Sequence, residues 1–119
     1  MSHKMLLRIQ GDLSGQAQTP INPERVIKGQ PLERVNNQFT NAKNNFFCGV
    51  WESSEGQWNL NYTEDEFCYV IEGQAIITDE QGCSETVNAG DAFVIPAGFT
   101  GTWQTIGHAK KFYSIYEEA

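Results

Sequence analysis

Glu66-Phe-Cys-Tyr-Val-Ile-Glu-Gly73, then Gln74-Ala-Ile-Ile-Thr-Asp-Glu-Gln-Gly82, and after a short return Asn88-Ala-Gly-Asp-Ala-Phe-Val-Ile-Pro-Ala-Gly98, is the stretch that decides how this chain folds. Short runs of β-branched and aromatic residues, which suit a pleated and half-buried backbone, are cut at Gly73, Gly82, Gly90 and the Pro96–Gly98 turn. Working outward, Phe47–Glu52 and Gln57–Tyr62 read as strands around a turn at Ser53–Gly56. Ser84–Val87 and Ala92–Ile95 read as short strands, and Thr100–Ile106 and Lys111–Tyr116 as strands separated by Gly107–His108. No apolar i, i+3, i+4 pattern lasts long enough for a core helix. Many short strands with turn residues between them predict an all-β sandwich or barrel.

The first forty-five residues are polar and rich in Asn, Gln and Pro. Met5–Ile9 reads as an edge strand and Arg34–Lys43 as irregular loop. The expectation is one domain: an N-terminal arm over residues 1–45 that wraps a barrel formed by residues 46–119, or lends a strand to a partner's sheet.

Composition excludes several partners. Fifteen acidic residues against eight basic ones give the 119-residue chain a net charge of −7, and its only adjacent basic pair is Lys110–Lys111. That balance argues against nucleic acid and against an anionic membrane surface. Arg8 interrupts the opening apolar residues before a secretory signal forms, and no apolar run is long enough to span a bilayer. Cys48, Cys68 and Cys83 have no C-x-x-C spacing and read as reduced thiols of a cytoplasmic protein.

Two spacings carry a family resemblance. Glu66 is followed by six residues and Gly73, and Gly90 by five residues and then Pro96-Ala-Gly98. This resembles the end of the first and the start of the second sequence motif of cupins. Gly49–Trp58 (G-V-W-E-S-S-E-G-Q-W), Gly98–Trp103 (G-F-T-G-T-W) and Lys110–Tyr113 (K-K-F-Y) narrow it further. Together they are similar to the small cupins grouped with ureidoglycine aminohydrolase and the ethanolamine-utilisation cupin. The resemblance implies an RmlC-like jelly roll, a double-stranded β-helix barrel, and a homodimer. It also implies where metal-binding histidines would fall: Leu60, Tyr62 and Gly101, or Asn59 and Asn61 in place of the first two under the longer spacing. Only Glu66 remains of that ligand set, and a lone carboxylate does not hold a transition ion against competing ligands. Neither His3 nor His108 occupies a motif position. No metal and no cofactor are expected, so the hydrolase's metal chemistry does not carry across.

Strand alternation and the cupin register place Leu60, Tyr62 and Glu66 on one side of the barrel interior, with Gly101 and Trp103 facing them. Gly101 is expected to leave space, Trp51 to add an aromatic wall, and Cys68 to share the face of Glu66. Glu66 and Tyr62 are the catalytic candidates. Burial is expected to raise the Glu66 pKa, making it a general acid or base or an amine's counter-ion. The competing reading ties Glu66 to Tyr62 or to backbone donors for the fold alone. Cys68 lacks a histidine to activate it and reads as an inert thiol. Lys110 and Lys111 read as solvated strand-end charges, or one of them faces inward and pairs with Glu66. Glu64 and Asp65 read as a solvated acidic turn, unless a regular strand brings Glu64 to the face of Glu66. Three functions follow: proton transfer or hydrolysis on a small amine- or ureide-like metabolite by Glu66 and Tyr62; a binding module without turnover; or a metal enzyme using Glu64, Glu66 and Cys68.

Overall fold

The computed structural model describes Met5–Glu118. Eight strands form the fold: β1 Thr19–Pro20, β2 Val26–Lys28, β3 Leu32–Thr40, β4 Phe46–Asn61, β5 Asp65–Asp79, β6 Ser84–Asn88, β7 Ala92–Ile95 and β8 Thr100–Tyr116. They join in the order β1-β3-β4-β8-β5-β6, with β2 added to β4 and β7 to β5. All pairings are antiparallel. The chain is an all-β antiparallel jelly roll, the architecture that the resemblance implies.

Three long strands make the closure possible. Phe46–Ser54 of β4 lies between β3 and β8, while Gly56–Asn61 continues along β8 past a bulge between Ser54 and Gly56. In β5, Glu66–Tyr69 pairs with β7 and Gln74–Thr78 with β6, around register shifts between Val70 and Gln74. A bulge bends a strand and switches which face alternate residues present. Trp51, before the β4 bulge, and Trp58 and Leu60, after it, therefore all meet the interior. Gly73 at the β5 corner has φ +81°, and a Cβ there would collide with the carbonyl oxygen of His108. Only glycine satisfies both demands.

The expected breaks at Ser53–Gly56 and Gly107–His108 are thus not chain reversals but corners within β4 and β8. Met5–Ile9 forms no strand. Arg34–Lys43, expected as loop, is largely strand β3, which pairs with β4 through Glu33–Thr40. Its polar side chains have partners: Asn36 Nδ2 donates to the carbonyl of Asp12 and Gln38 Nε2 to that of Gln10. No helix among the described residues is long and apolar enough to cross a membrane.

Candidate functional site

Inward-facing residues of β3, β4 and β8, together with the β4–β5 turn and the start of β5, line an open cavity of about 620 Å³. Its wall is aromatic. Trp51 and Trp103 meet edge to face at 5.5 Å between centroids, and Trp58 stacks on Trp103 at 6.5 Å. The indole N–H groups are already committed, Trp51 Nε1 donating to Glu33 Oε1 at 2.8 Å and Trp103 Nε1 to Thr105 Oγ1 at 2.9 Å. The rings therefore offer faces, not donors, to the cavity.

At that wall lies a buried charge cluster. Alternation along β8 carries Lys111, Tyr113 and Ile115 to the cavity, and Lys111 is only 6% exposed. Its Nζ lies 3.0 Å from Oε2 of Glu66, which is 4% exposed. Tyr62 donates its hydroxyl to Glu66 Oε1 at 2.5 Å. The ammonium also lies 3.5 Å from Cys68 Sγ and over the rings of Trp103 and Trp51, 4.5 and 4.8 Å from their centroids. A desolvated cation gains from such ring faces. No side-chain nitrogen or oxygen buried among the described residues lacks a hydrogen-bond partner.

This geometry fixes the charges. Burial pushes the Glu66 carboxyl up, but the Lys111 charge and the Tyr62 hydrogen bond outweigh it and hold the group below the usual carboxylate range. The sequence-based expectation of a raised Glu66 is overturned because it weighed burial alone, and the inward Lys111 charge outweighs burial. Burial pulls Lys111 down, yet the Glu66 carboxylate beside it raises it above the ordinary lysine value. Tyr62 is pushed up by burial and by Glu66. Burial also pushes the Cys68 thiol up to about 12, so the buried sulfur stays protonated.

Trp51, Leu60, Tyr62, Glu66 and Trp103 come together on this cavity. Cys68 touches Lys111 but does not line it. Gly101 is displaced from the expected position: it pairs with Leu60 and Asp79 in the sheet, and a Cβ there would strike the Thr78 carbonyl oxygen and approach Phe99. It opens no space toward the cavity. Trp58, Tyr113 and Glu64 line the site although sequence reading gave them no part in it or, for Glu64, favoured a solvated turn. A metal does not fit these residues. Leu60 and Gly101 offer no ligand atoms, and both Glu66 oxygens are engaged by Tyr62 and Lys111. Among the described residues no three His, Cys, Asp or Glu side chains gather to hold an ion, the set Glu64, Glu66 and Cys68 included.

The comparisons agree with this architecture. A protein of unknown function from the DUF861 family of Pseudomonas syringae pv. tomato superposes with a TM-score of 0.80 at 28% identity, over 90% of this chain and 46% of its own. EutQ of Clostridium difficile gives 0.65 at 24% identity, over 72% of this chain and 63% of its own. A putative ethanolamine utilization protein Q from Salmonella typhimurium gives 0.66 at 18% identity, over 87% and 97%. The last two likenesses are of fold alone. The chain spans about half the length of the Pseudomonas protein and under two-thirds of the Clostridium one. No curated protein matches it. The family model described as the EutQ-like cupin domain matches residues 40–113, the segment that builds the long strands and most of the cavity, and the chain belongs to that family.

Proposed function

We propose that the chain binds a compact polar metabolite of amide or ureide type in this cavity, without a resident metal. The observation that carries the reading is the buried Glu66–Lys111 pair against the tryptophan wall. An ammonium has three N–H donors; Glu66 and Cys68 take two, leaving one for a ligand carbonyl. The carboxylate beside it has lone pairs for a ligand N–H. An amide or ureide presents that acceptor and donor side by side, and its flat face suits an aromatic wall. A free amine fits Glu66 less well, because Lys111 already neutralises the carboxylate.

Protonation favours a binding module over a proton-transfer enzyme. A general acid or base works best with a pKa near the working pH, whereas Glu66 is held low and Tyr62 and Lys111 are held high. Three free thiols support a reducing, cytoplasmic setting. Exposed Phe67, Tyr69, Val94 and Tyr116, on one outer face of β5, β7 and β8, support a homodimer.

Calorimetric titration with alkyl ureas and primary amides tests the reading. Saturable binding is expected, weakened about tenfold or more, roughly 1.4 kcal/mol, by Lys111→Met and by Glu66→Gln. Folded variants that bind as the wild type does would overturn it.

A further inference from the structure

Five charged residues line the cavity: Arg25, Glu33, Glu64, Glu66 and Lys111. Glu66 and Lys111 compensate one another. Glu33 accepts the Trp51 N–H. No cation pairs with Glu33 among the described residues, and two further charges stand open to the cavity. Among the described residues the Glu64 carboxylate has neither a cation nor a hydrogen-bond donor, and Arg25 uses only Nε, which donates to the carbonyl of Asn59 at 3.0 Å. That bond, together with the Asn59 N–H to Arg25 carbonyl bond at 2.9 Å, ties Arg25 to β4 beside the cavity mouth. Its terminal guanidinium nitrogens, which match a carboxylate in a two-pronged way, have no protein acceptor among the described residues.

We infer that the cavity's ligand is a zwitterion, with a carboxylate received by Arg25 and an ammonium received by Glu64. The inference rests on the binding reading above and adds the ligand's two charged ends. Glu64 is already half-buried with its carboxyl raised, first by burial and then by Glu117 and Glu66, so an arriving cation relieves an existing strain. Arg25 is exposed and Glu64 half-buried, so water partly solvates each of them; a ligand with one charge contacts only one of the two, and a zwitterion gains both contacts at once. The sign of each residue then fixes the ligand's direction in the cavity.

The test titrates the whole protein with ω-amino acids from glycine to aminohexanoate, alongside the carboxylate and the amine of each chain length. The graded series removes the need to know the spacing between Arg25 and Glu64 in advance. At least one member is expected to bind about tenfold or more tighter than both singly charged counterparts. Arg25→Gln should reduce it to the level of the amine, and Glu64→Gln to that of the carboxylate, each variant first shown by a cooperative melt to be folded. If no member exceeds its singly charged counterparts, or if the two variants leave that advantage intact, the inference is overturned. Alkyl ureas keep the two readings apart. Urea binding lost in Lys111→Met, with no zwitterion advantage, sinks this inference alone. A zwitterion advantage without urea binding sinks the amide-ureide reading and leaves this one standing.

Discussion

Replacing Lys111 by Met leaves the volume of the side chain nearly intact and removes its charge. Glu66 Oε1 keeps the Tyr62 hydroxyl, but Oε2 loses its partner in a place where the residue is only 4% exposed. Breaking a buried pair in this way costs about 3–5 kcal/mol, a large part of the roughly 5–15 kcal/mol that holds a domain together. Glu66→Gln leaves the opposite orphan, an ammonium still lodged over Trp51 and Trp103. Their faces retain about 2 kcal/mol of cation–π attraction, so this loss should be the smaller. In the double variant no charge is buried, and replacing a whole buried pair by neutral groups is often close to neutral. Urea unfolding of the four proteins gives the cycle. A coupling of about 2–3 kcal/mol is expected, with the double variant more stable than Lys111→Met alone. Single losses below about 0.5 kcal/mol that simply add would refute the reasoning and place both side chains in water.

The same pair sets pH limits. Glu66 is depressed in the fold, so its contribution is present above the unfolded value of about 4.3 and lost as pH falls through the folded one; Lys111 is raised, so its contribution holds below about 10.4 and is lost as pH rises beyond it. Stability measured against pH should fall at both ends, and the alkaline fall should shrink in Lys111→Met. Thiol labelling should separate the cysteines: exposed Cys83 reacts first, while Cys68, fully buried with its thiol at about 12, reacts only on unfolding. Restoring a histidine through Gly101→His should destabilise the fold without creating a metal site, read by thermal melting and elemental analysis, because the Thr78 carbonyl blocks its Cβ. Trp51, Trp58 and Trp103 are all the tryptophans in the chain and all line the cavity, so ligand binding should shift intrinsic fluorescence and slow its quenching by acrylamide.

Glycine and proline spacing made the barrel legible, since those residues mark corners whatever their surroundings. That spacing does not distinguish a corner from a reversal, so β4 and β8 look broken in sequence although each is continuous. A bulge costs one residue and leaves little compositional trace. β3 resembles loop in sequence because Asn36, Asn37 and Gln38 lack strand propensity; pairing with β4, and side-chain bonds to the Asp12 and Gln10 backbone from two of them, override it. In the site, Glu66 and Tyr62 stood out through motif position. Lys111 was named only as one of two possibilities, yet a signal was present: Lys111, Tyr113 and Ile115 alternate with Lys110 and Phe112, so one lysine must share the face of the inward tyrosine. Two adjacent lysines on one strand necessarily point opposite ways. Gly101 was misplaced because motif counting gives a position along the chain, not whether the facing backbone leaves room.

A protonated Lys111, buried against Glu66, is the cavity's built-in cation. Nitrogen-15 NMR of the lysine ammonium groups tests it most directly. One protected ammonium signal in slow exchange with water is expected, absent in Lys111→Met, displaced in Glu66→Gln, and persisting to a pH above the ordinary lysine value of about 10.4. Lys111 exchanging as fast as the surface lysines, or titrating near neutrality, would contradict it.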